Sequence, residues 1–187
     1  MIVLSAPSGS GKTTVLEALR RAERRVVRSV SMTTRPPRAG ERQGRDYWFV
    51  SGAEFAVARR RGAFLECARI LNHWYGTPRT PVERALRSGR DVLLGVDIQG
   101  ARQIRRSGLR VTTIFLLPPS LATLKERLKR RGTETRDQIH ARLKLAQREL
   151  AQVHRYDYAV VNDRLKKAIA AVRAILEAER FRVDRTS

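Results

Sequence analysis

A glycine-rich run near the N-terminus has the residue types and spacing needed to bind phosphate. The run APSGSGKTT covers residues 6–14 and contains Gly9, Gly11, Lys12 and Thr13. A short apolar stretch precedes it and a helical pattern follows it, so a strand, a turn and a helix start are expected. The backbone N–H groups of such a turn can surround phosphate oxygens, and the helix N-terminus adds partial positive charge. The run therefore predicts a nucleotide phosphate loop.

The side chains of this loop have expected roles. Lys12 would reach the β- and γ-phosphates of a bound nucleotide, and the hydroxyl of Thr13 would bind Mg²⁺. The usual pattern begins with glycine, whereas this chain has Ala6, whose small side chain hinders backbone approach least. A glycine-rich turn with a solvated lysine is the alternative, but the run lies where a strand should pass into a helix. The expected phosphate-loop residues are Ala6, Pro7, Ser8, Gly9, Ser10, Gly11, Lys12, Thr13 and Thr14.

The composition fits one compact α/β domain. The chain has 187 residues, of which 42% are hydrophobic, and this is enough for a single core. No apolar stretch reaches the roughly 18 residues of a membrane span. The first residues lead directly into the loop, so no cleavable signal is expected. A lone Cys67 cannot form an internal disulfide, which predicts a cytoplasmic protein.

The chain is strongly basic, with 39 Lys and Arg against 18 Asp and Glu and a net charge of +21. Such a field attracts anionic ligands. Arginine clusters at 59–61, 105–106 and 129–131 lie near predicted helix ends, where cations suit the helix dipole, so a general arginine bias is the favoured explanation. The sequence contains no aromatic pattern for stacking on bases. We therefore expect no specific nucleic-acid binding, and only weak, salt-sensitive nonspecific binding.

Apolar runs alternate with amphipathic helical patterns along the chain. Predicted strands are 2–4, 26–30, 47–50, 64–70, 92–96, 111–117 and 158–161, and residues 31–46 form a loop. Three helices are predicted to begin after caps at Ser51, Thr80 and Ser120, and a fourth is predicted at 98–106. Two further helices are indicated by apolar residues at helical spacing. The first set is Ile139, Leu143, Ala146, Leu150 and Val153, and the second is Leu165, Ile169, Val172 and Leu176. This alternation predicts an α/β fold with a mostly parallel central sheet flanked by helices. Ligands then bind at the carboxyl ends of the strands.

Four further segments indicate a family. They are SVSMTTRPPRAGE at 29–41, GRDY at 44–47, FLE at 64–66 with YGT at 75–77, and RGTET at 131–135. In this order behind a phosphate loop, the chain resembles guanylate kinases over nearly its whole length. The resemblance implies a three-layer P-loop kinase fold with a core of about 1–30 and 87–187. It also implies a GMP-binding insertion of about 31–86 and a mobile lid of about 130–142.

The resemblance implies Mg²⁺-dependent transfer of a phosphoryl group from ATP to GMP, and to dGMP. Ser31, Arg35, Arg38 and Tyr47 then bind the GMP phosphate. Two guanidinium forks can hold a phosphate dianion in bidentate fashion. The alternative is a solvated basic loop, and the two prolines between the arginines favour a preorganised pair.

The base of GMP is assigned by the resemblance to Glu66, Thr77 and Asp97, with Tyr75 nearby. Guanine presents two adjacent donors that one carboxylate can accept, whereas adenine presents an acceptor at N1. The alternatives are an internal partner for Glu66, such as Arg69 or Arg102, and ordinary packing for Tyr47 and Tyr75.

The lid arginines of the family correspond to Arg131 and Arg142, and Arg127 and Arg136 remain alternates. Asn162 and Asp163 match the adenine side of the ATP site, although a helix cap is the alternative. The catalytic residues implied by the resemblance are Lys12, Arg38, Arg131 and Arg142.

One departure concerns the metal. Guanylate kinases usually carry an acidic residue where this chain has Gly95, and Asp97 could take part of that role through a water. Two other functions remain open, a kinase for ribose bisphosphates and a weakened guanylate-kinase-like binding domain. Either a monomer or a homodimer fits the sequence.

Overall fold

Strands and helices alternate along the chain in the computed structural model, which describes residues 1–130 and 135–183. The strands are β1 (Ile2–Ser5), β2 (Val26–Arg28), β3 (Met32–Thr33), β4 (Trp48–Phe49), β5 (Phe64–Ile70), β6 (His73–Pro78), β7 (Asp91–Gly95), β8 (Thr112–Leu117) and β9 (Tyr158–Val161). The helices are α1 (Lys12–Ala22), α2 (Gly52–Arg60), α3 (Arg79–Arg87), α4 (Ile98–Arg105), α5 (Leu121–Arg130), α6 (Arg136–Leu150) and α7 (Leu165–Arg180), with a 3₁₀ turn at Val153–Arg155.

The larger sheet has the order β2-β7-β1-β8-β9, and each pair of neighbouring strands is parallel. Strand β1 lies at its centre, so the loops that follow β1 and β7 meet at the same carboxyl edge. Ligands of parallel α/β sheets bind at this edge. The predicted α/β class and mostly parallel sheet are confirmed.

Alternation along β1 explains why helices cover both faces of this sheet. Ile2 and Leu4 pack in one cluster with apolar residues of α1 and α7. Val3 points the other way and packs in a second cluster with residues of α3 and α4. A third cluster joins α5 to α6 through Leu124, Leu128, Ile139 and Ala146.

A smaller sheet has the order β4-β3-β6-β5. Strands β5 and β6 are antiparallel, as are β3 and β6, whereas β3 and β4 are parallel. Helix α2 covers this sheet with Phe55, whose ring stacks on Phe64 at 4.6 Å and on Trp74 at 5.9 Å. Helix α4 of the larger layer contacts β5, which brings the smaller sheet beside the carboxyl edge of the larger one.

Several local predictions are confirmed. Strands β5 and β9 have the predicted bounds. Ser51 caps α2, since its hydroxyl accepts a hydrogen bond from the N–H of Glu54 while the Glu54 carboxylate accepts one from the N–H of Ser51. Ser120 accepts a hydrogen bond from the N–H of Thr123 at the start of α5.

Other local predictions are wrong. The predicted loop at 31–46 contains strand β3, and no pattern predicted β6; both strands depend on pairing with distant segments. Helix α3 begins at Arg79 after an N-cap at Pro78, so Thr80 is not its cap. Strand β2 ends at Arg28, and Leu165 is 40% exposed at the start of α7 instead of buried.

Among the described residues, no helix is both long enough and apolar enough to cross a membrane.

Candidate active site

A cleft lies between the loop after β1 and the smaller sheet, and most of the predicted site residues line it. From the first loop and helix α1 these are Ala6, Pro7, Ser8, Gly9, Gly11, Lys12, Thr13 and Thr14. From the facing elements they are Ser31, Arg35, Arg38, Tyr47, Glu66, Tyr75, Asp97 and Arg142. Residues remote in sequence therefore converge on one cleft.

The loop itself adopts the geometry that the glycine spacing predicts. It connects the end of β1 to the start of α1, and Gly9 and Gly11 have φ values of 94° and 88°. These values lie in the left-handed region that favours glycine. A Cβ atom at Gly11 would also come within 2.5 Å of the Asn162 amide nitrogen. The tight turn thus requires glycine for both its backbone conformation and its packing.

Lys12 is fixed at the centre of the cleft. Its ammonium donates a hydrogen bond of 2.8 Å to the carbonyl oxygen of Val96. Burial lowers the pKa of Lys12, and the nearby carboxylates of Asp97, Glu149 and Glu66 oppose that effect. The acidic surroundings favour the charged ammonium, which is the form that can bind phosphate.

Asn162 holds the phosphate loop from behind. Its buried side-chain amide donates a hydrogen bond of 2.7 Å to the carbonyl oxygen of Ser10. The N-cap of α7 is Arg164, so the alternative of Asn162 as a helix cap is wrong. Asp163 is exposed and accepts a hydrogen bond from the Arg164 N–H.

A second, more open cleft lies on the other side of the loop. Its lining includes Gly9, Gly11, Thr14, Arg127, Arg130, Asn162 and Asp163. Arg127 also donates a hydrogen bond to the carbonyl oxygen of Asn162 at 3.3 Å. The two clefts share the glycines of the loop, so an elongated ligand could contact both.

Among the predicted lid arginines, Arg142 reaches the phosphate loop. Its guanidinium donates a hydrogen bond of 2.9 Å to the hydroxyl of Ser8. Arg136 is exposed at the start of α6 and belongs to neither cleft lining among the described residues. Arg131 lies outside the described residues.

The two predicted phosphate-binding arginines differ in their surroundings. Arg35 is 9% exposed, and it donates hydrogen bonds to the carboxylate of Glu41, at 2.9 Å, and to the hydroxyl of Tyr75, at 3.2 Å. The solvated-loop alternative is therefore wrong for Arg35. Arg38 is exposed and lines the cleft, and its backbone N–H donates a hydrogen bond of 2.8 Å to the Glu41 carboxylate.

Glu66 is a buried carboxylate in strand β5. Its Oε1 accepts a hydrogen bond of 2.6 Å from the hydroxyl of Thr77 on β6. Burial raises the pKa of Glu66 from its ordinary 4.5 to about 7, against the effect of the Thr77 hydrogen bond. Within the described chain it forms no ion pair with Arg69 or Arg102, so that alternative is wrong.

Asp97 and Gly100 shape the floor beside this carboxylate. Asp97 caps α4, because its carboxylate accepts a hydrogen bond of 2.8 Å from the N–H of Gly100. A Cβ atom at position 100 would lie 2.5 Å from Oε2 of Glu66. Glycine there leaves the space that the Glu66 carboxylate occupies.

Tyr47 and Tyr75 form one wall of the cleft. Their rings meet edge to face at 5.9 Å, and burial raises the pKa of Tyr47. The guanidinium of Arg35 lies 5.6 Å from the Tyr47 ring centroid. Both rings therefore pack, and they also face a cationic group.

The sequence patterns missed three residues of this cleft. Glu149 lines it, and burial raises its pKa to about 7 despite nearby Lys12. Its position two turns after Arg142 on α6 was the available signal. Glu41 ends the segment 29–41 that indicated the family, but its contacts with Arg35 and Arg38 depend on the folded loop and were not predicted. Gly100 gave no signal, because its contact depends on β5.

Gly95, where an acidic residue was expected, lies against helix α1. A Cβ atom at Gly95 would come within 2.4 Å of Cδ1 of Leu16, and Leu16 is itself buried in the core. A side chain at this position would therefore require the end of the Leu16 side chain to move.

Comparison with known proteins agrees with this geometry. The guanylate kinase family model matches residues 1–179. Guanylate kinase of Caldanaerobacter subterraneus subsp. tengcongensis is 45% identical over 185 residues, which cover 99% of this chain and 90% of the relative. Guanylate kinase of Thermus thermophilus is 49% identical over 186 residues, which cover 99% of this chain and 84% of the relative. The crystal structure of guanylate kinase from Anaplasma phagocytophilum superposes with a TM-score of 0.83 at 34% identity, and covers 98% of this chain and 87% of that one. The chain belongs to the guanylate kinase family.

Proposed function

We propose that this chain transfers the γ-phosphoryl group of ATP to GMP, and to dGMP, and so produces ADP and GDP. One observation carries the proposal: the buried carboxylate of Glu66 and the guanidinium of Arg35 line the same cleft as the phosphate loop. An acceptor that bound both groups would have its phosphate directed towards the phosphates of a nucleotide on the loop.

Glu66 supports guanine as the acceptor base. A buried carboxylate favours a ligand with donors, and the N1–H and exocyclic amine of guanine are two adjacent donors. Thr77 already occupies Oε1 from one side, which fixes the orientation of the carboxylate. Adenine would present a lone pair at N1 to the same oxygens, and such mismatched buried polar groups reject a ligand strongly.

Arg35, Arg38 and Tyr47 support a phosphate monoester as the acceptor group. The guanidinium forks can donate paired hydrogen bonds to phosphate oxygens. Ser31 and Tyr75 line the same part of the cleft. A sugar bisphosphate would match the arginines but would offer no nucleobase donors to Glu66, so a nucleotide fits better.

The loop residues 6–14 support ATP as the donor. Their left-handed glycines and the start of α1 form the backbone concavity that binds phosphate. Asn162 and Asp163 line the second cleft beside Arg127, and we assign them to the adenine side of ATP. Arg131, outside the described residues, remains proposed as a lid residue.

The donor set of this site fits Mg²⁺. No cluster of three or more acidic, histidine or cysteine side chains capable of holding a metal occurs among the described residues, and Mg²⁺ in kinases needs few protein ligands because phosphates and waters supply most. The Thr13 hydroxyl would hold it, with Asp97 acting through a water. Bound Mg²⁺ would neutralise phosphate charge.

The side chains then act by alignment and charge neutralisation. The attacking oxygen belongs to a GMP phosphate that is already ionised near neutral pH, so no general base is needed. Lys12 and Arg142 would stabilise the charge on the transferred group, and Arg35 and Arg38 would hold the acceptor in line. Arg142 is already anchored on Ser8 of the loop.

A coupled assay of ADP production tests the proposal. With ATP and Mg²⁺, we expect turnover with GMP and little with AMP, UMP, CMP or a ribose bisphosphate. The Lys12→Ala variant should lose about 10³-fold or more of this activity while it stays folded, since Lys12 is only half-buried and belongs to the first turn of α1. ADP production that does not depend on GMP, or that persists in Lys12→Ala, contradicts the proposal.

A further inference from the structure

The guanidinium of Arg35 is held by the protein from three sides. Its Nη2 atom lies 2.9 Å from each carboxylate oxygen of Glu41. Its Nε donates to the hydroxyl of Tyr75 at 3.2 Å, and its Nη1 donates to the carbonyl oxygen of Pro36 at 2.6 Å. A guanidinium carries five N–H donors, so at least one N–H of Nη1 is left for another acceptor.

The same carboxylate also shapes the loop that carries Arg38. Glu41 accepts a hydrogen bond of 2.8 Å from the backbone N–H of Arg38. Its own N–H donates to the Arg38 carbonyl oxygen at 3.0 Å. One side chain therefore fixes the orientation of the first arginine and the backbone of the second.

The Arg35–Glu41 pair is sheltered from solvent. Its side chains are 10% and 20% exposed, and both residues line the cleft. Pairing with Glu41 holds one orientation of a side chain that otherwise has many rotamers. A ligand that meets a fixed guanidinium loses less conformational entropy on binding than one that must order it.

We infer that Glu41 is a positioning residue for phosphate recognition, which holds Arg35 and the Arg38 backbone ready for the phosphate of the acceptor nucleotide. This inference rests on the proposed function. The negative charge of Glu41 would also repel a phosphate. The ion pair with Arg35 offsets that charge, and the side chain of Arg38 also lines the cleft.

Calorimetric titration of the Glu41→Gln variant tests the inference. Glutamine keeps the size and one acceptor oxygen but removes the charge that holds Arg35. We expect the Kd for GMP to rise about 10-fold. The inhibition constant of guanosine, which lacks the phosphate, should stay the same, as should the KM for ATP. A general loss of folded protein would weaken the binding of GMP, guanosine and ATP alike, so an effect on GMP alone indicates a role at the phosphate.

Three further variants complete the test. Glu83→Gln removes the carboxylate of an arginine pair on α3 outside the cleft and should bind GMP like the wild type. In an Arg35→Ala background, Glu41→Gln should cause little further loss, because its main partner is gone. If Glu41→Gln is poorly folded, Glu41→Asp replaces it in the test, because aspartate keeps the charge on a shorter side chain. Its Kd for GMP should be higher than that of the wild type by less than 10-fold.

The outcomes distinguish the inference from the function it rests on. Unchanged or tighter GMP binding in Glu41→Gln overturns the positioning role while the wild type still binds and phosphorylates GMP. An equal loss for GMP and guanosine also overturns it, because the effect would not lie at the phosphate. Failure of the wild type to bind GMP contradicts the proposed function and the inference together.

Discussion

Glu66 and Thr77 face each other across strands β5 and β6, with 2.6 Å between the Glu66 carboxylate oxygen Oε1 and the Thr77 hydroxyl. The second oxygen, Oε2, lies so close to Gly100 that a Cβ atom there would be 2.5 Å away. The protein therefore encloses an acidic side chain whose hydrogen bonds come from the uncharged groups of Thr77. Burial of a carboxylate that forms no ion pair within the described residues is unfavourable for folding, and this cost is consistent with a role in ligand binding.

The Glu66→Ala variant should lose selection for guanine. Without the carboxylate, the two donors of guanine lack acceptors, and kcat/KM for GMP should fall about 10²-fold or more. The KM for ATP should change little, because the phosphate loop is on the opposite side of the cleft. Steady-state kinetics with GMP and AMP measure the ratio, and Glu83→Gln is the control. An unchanged GMP-to-AMP ratio would mean that Glu66 does not read the base.

The Glu66→Gln variant should be more stable than the wild type at high pH. The pKa of Glu66 is raised to about 7 in the folded chain, against 4.5 ordinarily. Between about pH 4.5 and pH 7, Glu66 is ionised in the unfolded chain but keeps its proton in the folded chain. The free energy of unfolding of the wild type therefore falls as the pH rises through this range. Above pH ~7 this loss reaches about 3 kcal/mol.

Denaturant unfolding at pH 5 and pH 8 measures this effect. Glutamine does not titrate, so the advantage of Glu66→Gln should be large at pH 8 and small at pH 5. An advantage that is equal at both pH values would contradict the raised pKa and indicate a packing effect. Greater stability together with weaker GMP binding would show that this site reduces stability in favour of function.

The features that the sequence predicts are those set by near neighbours in the chain. The phosphate loop is recognisable because its glycines, Lys12 and the adjoining strand and helix are consecutive. Alternation along the predicted strand placed Glu66 on one face with Ala68, and both are buried, although the strand pairing is irregular between Phe64 and Glu66.

The features that could not be predicted depend on distant partners. Strand β6 contains Gly76 and Pro78 and exists as a strand because it pairs with β5 and β3. The hydrogen bond from Asn162 to Ser10 joins residues 152 positions apart, so a helix cap fitted the local pattern equally well. Glu41 contacts Arg35 only because the loop between them folds back on itself, and hydrophobic periodicity does not predict a turn of this kind.

Gly95→Ala should destabilise the protein, although alanine is small. Its Cβ would lie 2.4 Å from Cδ1 of Leu16, and Leu16 is packed in the core and cannot move freely. We expect a loss of about 1–3 kcal/mol in the free energy of unfolding, as for other overpacked cores. In a double-mutant cycle, Gly95→Ala should cost much less in a Leu16→Ala background. Additive losses would show that the two positions do not compete for space.

Asn162→Ala should weaken ATP binding by loosening the phosphate loop. The variant leaves the buried carbonyl of Ser10 without its donor, which costs about 1–3 kcal/mol of stability, and the KM for ATP should rise while the KM for GMP stays the same. Asn162→Asp should be worse than Ala, because it places a carboxylate oxygen against the carbonyl oxygen that the amide now meets at 2.7 Å. Glu83→Gln changes a residue of α3 that lines neither cleft and should leave both KM values near those of the wild type. If Asn162→Asp proved as active and as stable as the wild type, the amide would not be what holds the loop in place.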